Sequence, residues 1–149
     1  MDTSRPSKTN GNTQYFEDIH VGMSAMFSKT ITEADIVLFS GVTGDMNPVH
    51  IDEIYASATR FKGRIAHGML TASLISTVLG TRLPGPGCIY VSQNLKFTAP
   101  VYAGDTVNAQ VLVTDKIVKK SRIICHTACW VGEKQVLDGE AAMMVPNRT

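Results

Sequence analysis

One stretch restricts the fold more than any other: His67-Gly68-Met69-Leu70-Thr71-Ala72-Ser73-Leu74-Ile75-Ser76-Thr77-Val78-Leu79-Gly80, helical in pattern and without a charge. Apolar residues fall on almost every side, so this helix is expected to be buried nearly all round, unlike a surface helix with one apolar stripe. It must be wrapped, and the following sequence supplies the wrapping. After the Pro84-Gly85-Pro86-Gly87 turn come β-branched, partly alternating runs at residues 89–97, 105–114, 117–130 and 135–145, the third broken near Lys119-Lys120-Ser121. Val107, Ala109, Val111 and Val113 place an apolar side chain at every second position, the pattern of a sheet with one face on the core. Helices followed by a run of strands predict an α+β fold, with a curved antiparallel sheet closed around the uncharged helix.

Upstream of that helix, residues 23–31 read as a first strand. Thr32 then provides a capping side chain, with Glu33 and Asp35 in the positively polarised first turn of a short helix expected to end at Gly41. Residues 51–61 carry Ile54, Tyr55, Ala58 and Phe61 and fit a brief helix lying on a larger body. Residues 1–14 are polar and lack an apolar leader segment, so they read as a flexible tail before one domain over residues 15–149. A chain of 149 residues is about one domain in size and suffices for a single sizeable core.

Composition excludes several classes. A net charge of +1 gathers neither nucleic acid nor an anionic membrane, and no run approaches the roughly 18 apolar residues of a membrane span. Three cysteines, Cys88, Cys125 and Cys129, form no CxxC pair, which argues against a disulfide framework and fits a reducing, cytoplasmic setting. Cys125 and Cys129 share one strand face and read as buried small hydrophobes. The chain has no phosphate-cradling P-loop, no GxGxxG and no GxSxG nucleophile elbow, so nucleotide hydrolysis and serine esterase chemistry lose support.

Two segments can carry chemistry. In Gly44-Asp45-Met46-Asn47-Pro48-Val49-His50, Pro48 keeps Asn47 out of the α region and stiffens a bend between a carboxylate and an imidazole. Asp45 and His50 suit general acid–base work on a water; the alternative is an Asx-turn in which Asp45 caps local amides and His50 lies on the surface. In Ile65-Ala66-His67-Gly68-Met69, Gly68 stands where a helix has unpartnered N–H groups, able to face an oxyanion or simply to permit close packing. His67 could complete a two-histidine, one-carboxylate metal set with Asp45 and His50, but capping or packing is the reading adopted, and no metal is assigned. Ser76 is a hydroxyl in an apolar helix that could bond back to a carbonyl one turn earlier, and Tyr90 and Gln93 could be sheet residues only.

Together GDMNPVH, IAHGML and IYVSQNLKFTAPVYAGDTV resemble the MaoC-like (R)-specific enoyl-CoA hydratases over residues 39–107. That resemblance implies a hot-dog fold, usually paired as a homodimer. It implies reversible hydration of a trans-2-enoyl thioester, carried by CoA or an acyl carrier protein, with no cofactor. The family's catalytic aspartate and histidine fall on Asp45 and His50, its helix-entrance amide on Gly68, an acyl-pocket serine on Ser76 and a chain-length residue on Leu79. Asn47 then acts as scaffold for the pair, and His67 lies beside the substrate. A hot-dog thioesterase is the competing reading, but such enzymes usually carry an acid on the central helix, and this helix has none.

Overall fold

The computed structural model describes residues 13–148, so the first twelve residues of the expected tail lie outside the described residues. Five strands form one antiparallel sheet: β1 (Ser24–Thr30), β2 (Ile89–Phe97), β3 (Thr106–Ile117), β4 (Arg122–Val131) and β5 (Lys134–Met144). Their spatial order is β1-β3-β4-β5-β2, so β1 and β2 are the edges. Among the described residues, four α-helices precede or cross the sheet: α1 (Glu33–Thr43), α2 (Pro48–Ile51), α3 (Glu53–Ser57) and α4 (Gly68–Thr81).

The alternation in β3 does what its pattern predicts. Val107, Ala109, Val111 and Val113 are all at most 1% exposed, and they face α4 together with Ile123, Cys125 and Cys129 of β4. From α4, Leu70, Leu74, Ile75, Val78 and Leu79 complete that core. The expected break near residues 119–121 is a single 3-10 turn, Val118–Lys120, closed by Ser121 in the left-handed region. The result is the hot-dog arrangement, a sheet curled around a central helix.

Burial of α4 is less complete than an uncharged sequence suggests. Met69, Ser73, Ser76 and Gly80 form an exposed stripe at helical spacing. An absence of charge does not require burial on every side: the stripe is mostly small or hydroxylated, and its hydroxyls can satisfy themselves on the helix. Ser73 does so, donating to the Leu70 carbonyl at 2.5 Å, whereas Ser76 makes no such back-bond.

The helix after Thr32 also runs beyond its expected end. Thr32 and Asp35 form a reciprocal capping box, with Thr32 N–H donating to Asp35 at 2.9 Å and Asp35 N–H to Thr32 Oγ1 at 3.1 Å. Gly41 lies inside α1, because an interior glycine weakens a helix by only about 1 kcal/mol. Gly44 terminates it, with φ 78° and its N–H donating to the Ser40 carbonyl at 2.9 Å. This glycine turns the chain into the acid–imidazole loop. The helix expected at 51–61 is shorter than drawn and presents Ile54 and Tyr55 to solvent, burying only Ala56.

Candidate active site

The loop from Gly44 to His50 is half turn and half helix. Asp45 Oδ1 accepts the Asn47 N–H at 3.2 Å, the local Asx-turn that one reading of the sequence required. Asn47 Oδ1 in turn accepts the Val49 N–H at 3.2 Å, and Pro48 occupies the first position of α2. That single helical turn lifts His50 off the surface, to 7% exposure, while Asp45 stays exposed. The surface-histidine alternative therefore fails, although the Asx-turn is real.

Hydrogen bonding decides the tautomer of His50. Its Nδ1 lies 2.8 Å from the Ile65 carbonyl, which can only accept, so Nδ1 carries the proton. In the neutral ring Nε2 is left with a free lone pair. Burial holds the imidazole pKa below its ordinary value of 6.5, assisted by the neighbouring His67 and opposed by the Ile65 carbonyl and the Asp45 carboxylate. A neutral base at neutral pH results.

His67 precedes α4 at the N-cap position, but its side chain caps nothing. Its Nε2 donates to the Asp45 carbonyl at 3.1 Å and also lies 3.1 Å from Ser40 Oγ. Its ring stacks on His50 with centroids 3.8 Å apart and an angle of 28°, and meets Phe39 at 4.8 Å. His67 thus ties the backbone of Asp45 to the ring of His50. Asp45, His50 and His67 offer ligand atoms within 4.8 Å of one another and are the described residues able to hold a metal. Both histidines, however, already spend one nitrogen on a backbone carbonyl.

Gly68 opens α4, where the N–H groups have no intrahelical acceptor and the helix dipole is positive. A Cβ built there would meet the Phe97 ring at 2.7 Å, so the glycine is what lets strand β2 close over the helix entrance. Asp45, His50, His67, Gly68, Thr71 and Phe97 line one cavity of ≈ 400 Å³. A carboxylate, a neutral imidazole and a helix N-terminus therefore share one wall-bounded space.

Residues 18–134 match the family model of the MaoC like domain. The chain belongs to the MaoC-like family. The (R)-specific enoyl-CoA hydratase of Rhodospirillum rubrum is 58% identical over 134 residues, which cover 90% of this MaoC-like chain and 93% of that protein. The 3-hydroxybutyryl-CoA dehydratase of Methylorubrum extorquens is 50% identical, covering 90% and 85% of the two chains. Among solved structures, the unliganded R-hydratase of Pseudomonas aeruginosa superposes with a TM-score of 0.86 at 44% identity, covering 91% of this chain and 88% of that one.

In this MaoC-like chain, not every residue singled out from sequence joins the first cavity. Ser76 lines a second cavity of ≈ 540 Å³ between α4 and β2, with Phe39, Ala72, Tyr90 and Gln93. Met69 lines both. Leu79 is fully buried in the core and borders neither cavity, because its position on α4 points at the sheet. Tyr90 is more than a sheet residue: its hydroxyl donates to Gln93, whose Nε2 donates at 2.9 Å to the buried Thr127 Oγ1. Sequence reading missed Phe97 and Thr71. Only the bare Gly68, which needs something large against it, hinted at Phe97.

Proposed function

We propose that this chain catalyses reversible addition of water to a trans-2-enoyl-CoA, giving the (R)-3-hydroxyacyl-CoA, with Asp45 and His50 as the acid–base pair. Its enzyme class is hydro-lyase, the class of the enoyl-CoA hydratase and 3-hydroxybutyryl-CoA dehydratase relatives. The observation that carries the reading is the fixed tautomer of His50, which leaves Nε2 basic beside the Asp45 carboxylate in the cavity that Gly68 also lines.

In the forward direction Asp45 and His50 bind a water, and His50 Nε2 takes one of its protons as the oxygen bonds C3. The C2=C3 electron pair moves toward the thioester carbonyl, whose developing charge faces the Gly68 N–H. Asp45 and His50 then return the proton to C2 as the electrons flow back from the carbonyl, so the atoms balance with water alone. Asn47 and Pro48 shape the loop, and His67 holds the pair in register. Ser76 and its cavity suit the acyl chain, while Leu79 can influence chain length only through packing behind that wall.

We further propose that two copies pair. Support comes from the exposed stripe on α4 next to the edge strand β2, where Ile89, Tyr90 and Val91 are all exposed.

Crotonyl-CoA tests the reaction. Loss of enoyl absorbance without release of free thiol is expected. Thiol release would replace the hydratase with a thioesterase, and silence in both signals would leave a binding module.

A further inference from the structure

We infer that Arg60 receives a phosphate of the carrier bearing the enoyl thioester, making it the anion-reading residue at the outer rim of the cavity. This deepens the hydratase reading and rests on it for the identity of the thioester. Arg60 lines the same cavity as Asp45, His50 and Gly68, and among the described residues it is the only Lys or Arg on that lining. The thioester end of any acyl carrier substrate is neutral, whereas the distal end is anionic. A solvent-exposed cation on the wall of that cavity is therefore matched to the anionic end of the molecule and not to the neutral reacting bond.

The neighbouring cations do not compete. Arg64 is spent on two carboxylates, with Nε 3.3 Å from Glu53 and its terminal nitrogen on Glu33. Lys62 is exposed and does not border the cavity. Arg60 pairs with no carboxylate among the described residues.

Its guanidinium also lies over an aromatic face. The Cζ atom lies 5.0 Å from the centroid of the Phe61 ring, which itself lines the cavity. The Phe61 carbonyl accepts the Tyr102 hydroxyl at 2.8 Å, and the Phe61 N–H donates to Thr59 Oγ1 at 3.3 Å, so the backbone under Arg60 is tied down. A planar fork of N–H donors suits phosphate oxygens better than a lysine would. Two sources present that chemistry: the phosphate on the 4′ oxygen of pantetheine, shared by CoA and carrier protein, and the adenosine-side phosphates of CoA alone.

Calorimetric titration with unreactive butyryl thioesters separates these sources without depending on turnover. The probes are butyryl-pantetheine, butyryl-4′-phosphopantetheine and butyryl-CoA, titrated into the full chain and into Arg60→Glu and Arg60→Gln. The ratio of Kd for butyryl-CoA to Kd for butyryl-pantetheine is expected to rise roughly tenfold in Arg60→Glu, less in Arg60→Gln, and not in Lys62→Glu, which controls for the long-range field. A matching rise for butyryl-4′-phosphopantetheine assigns the phosphopantetheine phosphate, and a rise confined to butyryl-CoA assigns the adenosine phosphates. An unchanged ratio in both Arg60 variants, or an equal change in Lys62→Glu, overturns the inference. Loss of hydration in the wild type with the Kd shift intact would sink the hydratase reading and leave Arg60 standing.

Discussion

At the residue scale, the direction of one proton organises the site. Because the Ile65 carbonyl takes the Nδ1 hydrogen of His50, the other nitrogen is the basic one, and burial keeps it unprotonated. A group whose pKa is depressed stays neutral further into acid, so the acid limb of kcat/KM should lie below 6.5, the ordinary histidine value. A limb at or above that value in a pH–rate profile would count against His50 as base. Asp45→Asn and His50→Gln should each lower kcat on the order of 10²- to 10⁴-fold with circular dichroism unchanged, since each removes a proton-handling group. Near-wild-type turnover in either variant removes that residue from the mechanism. Asp45 and His50 were legible as a candidate pair because they lie five residues apart and their spacing is set by local chain geometry. His67 was legible only as a residue of several possible uses, since its work on Asp45, Ser40 and His50 depends on contacts up to 27 residues distant.

At the element scale, the entrance of α4 against the end of β2 is the joint that matters. Gly68 and Phe97 fit only because the glycine has no side chain, the required Cβ position being 2.7 Å from the ring. Gly68→Ala should push the ring aside, disturb the presentation of the first helical N–H, and lower kcat/KM roughly 10- to 100-fold. Adding Phe97→Ala should recover part of that loss in the double variant; no recovery would mean that the steric pair is not the cause. The same scale shows where local signals were sufficient and where they were not. Thr32 and Asp35 marked the start of α1 because a cap is a local hydrogen-bond exchange. Its end moved from Gly41 to Gly44 because either glycine tolerates the helix, and only the second is asked to adopt a positive φ.

At the scale of the whole molecule, the edge strand β2 and the exposed stripe of α4 lie side by side and lack a covering layer among the described residues. Light scattering after size exclusion should therefore read about twice the 16.1 kDa chain mass, and a monomer mass at micromolar concentration would refute the pairing. No helix among the described residues is long and apolar enough to cross a membrane. The buried thiols belong to this scale too: Cys125 and Cys129 are fully enclosed by sheet and helix, and burial pushes both up to about 12, so they serve as core volume and not as nucleophiles. The sequence by itself determined the strands, the central helix, the alternating core face of β3 and the carboxylate–imidazole loop, because periodicity, capping and turn chemistry act between near neighbours. Only the tertiary structure decided which nitrogen of His50 is free, that His67 clasps the loop, that Phe97 closes on Gly68, that Leu79 faces the core and that Arg60 stands on the cavity rim. Each of those follows from packing between segments distant in the chain, where shape and partner availability outweigh local propensity.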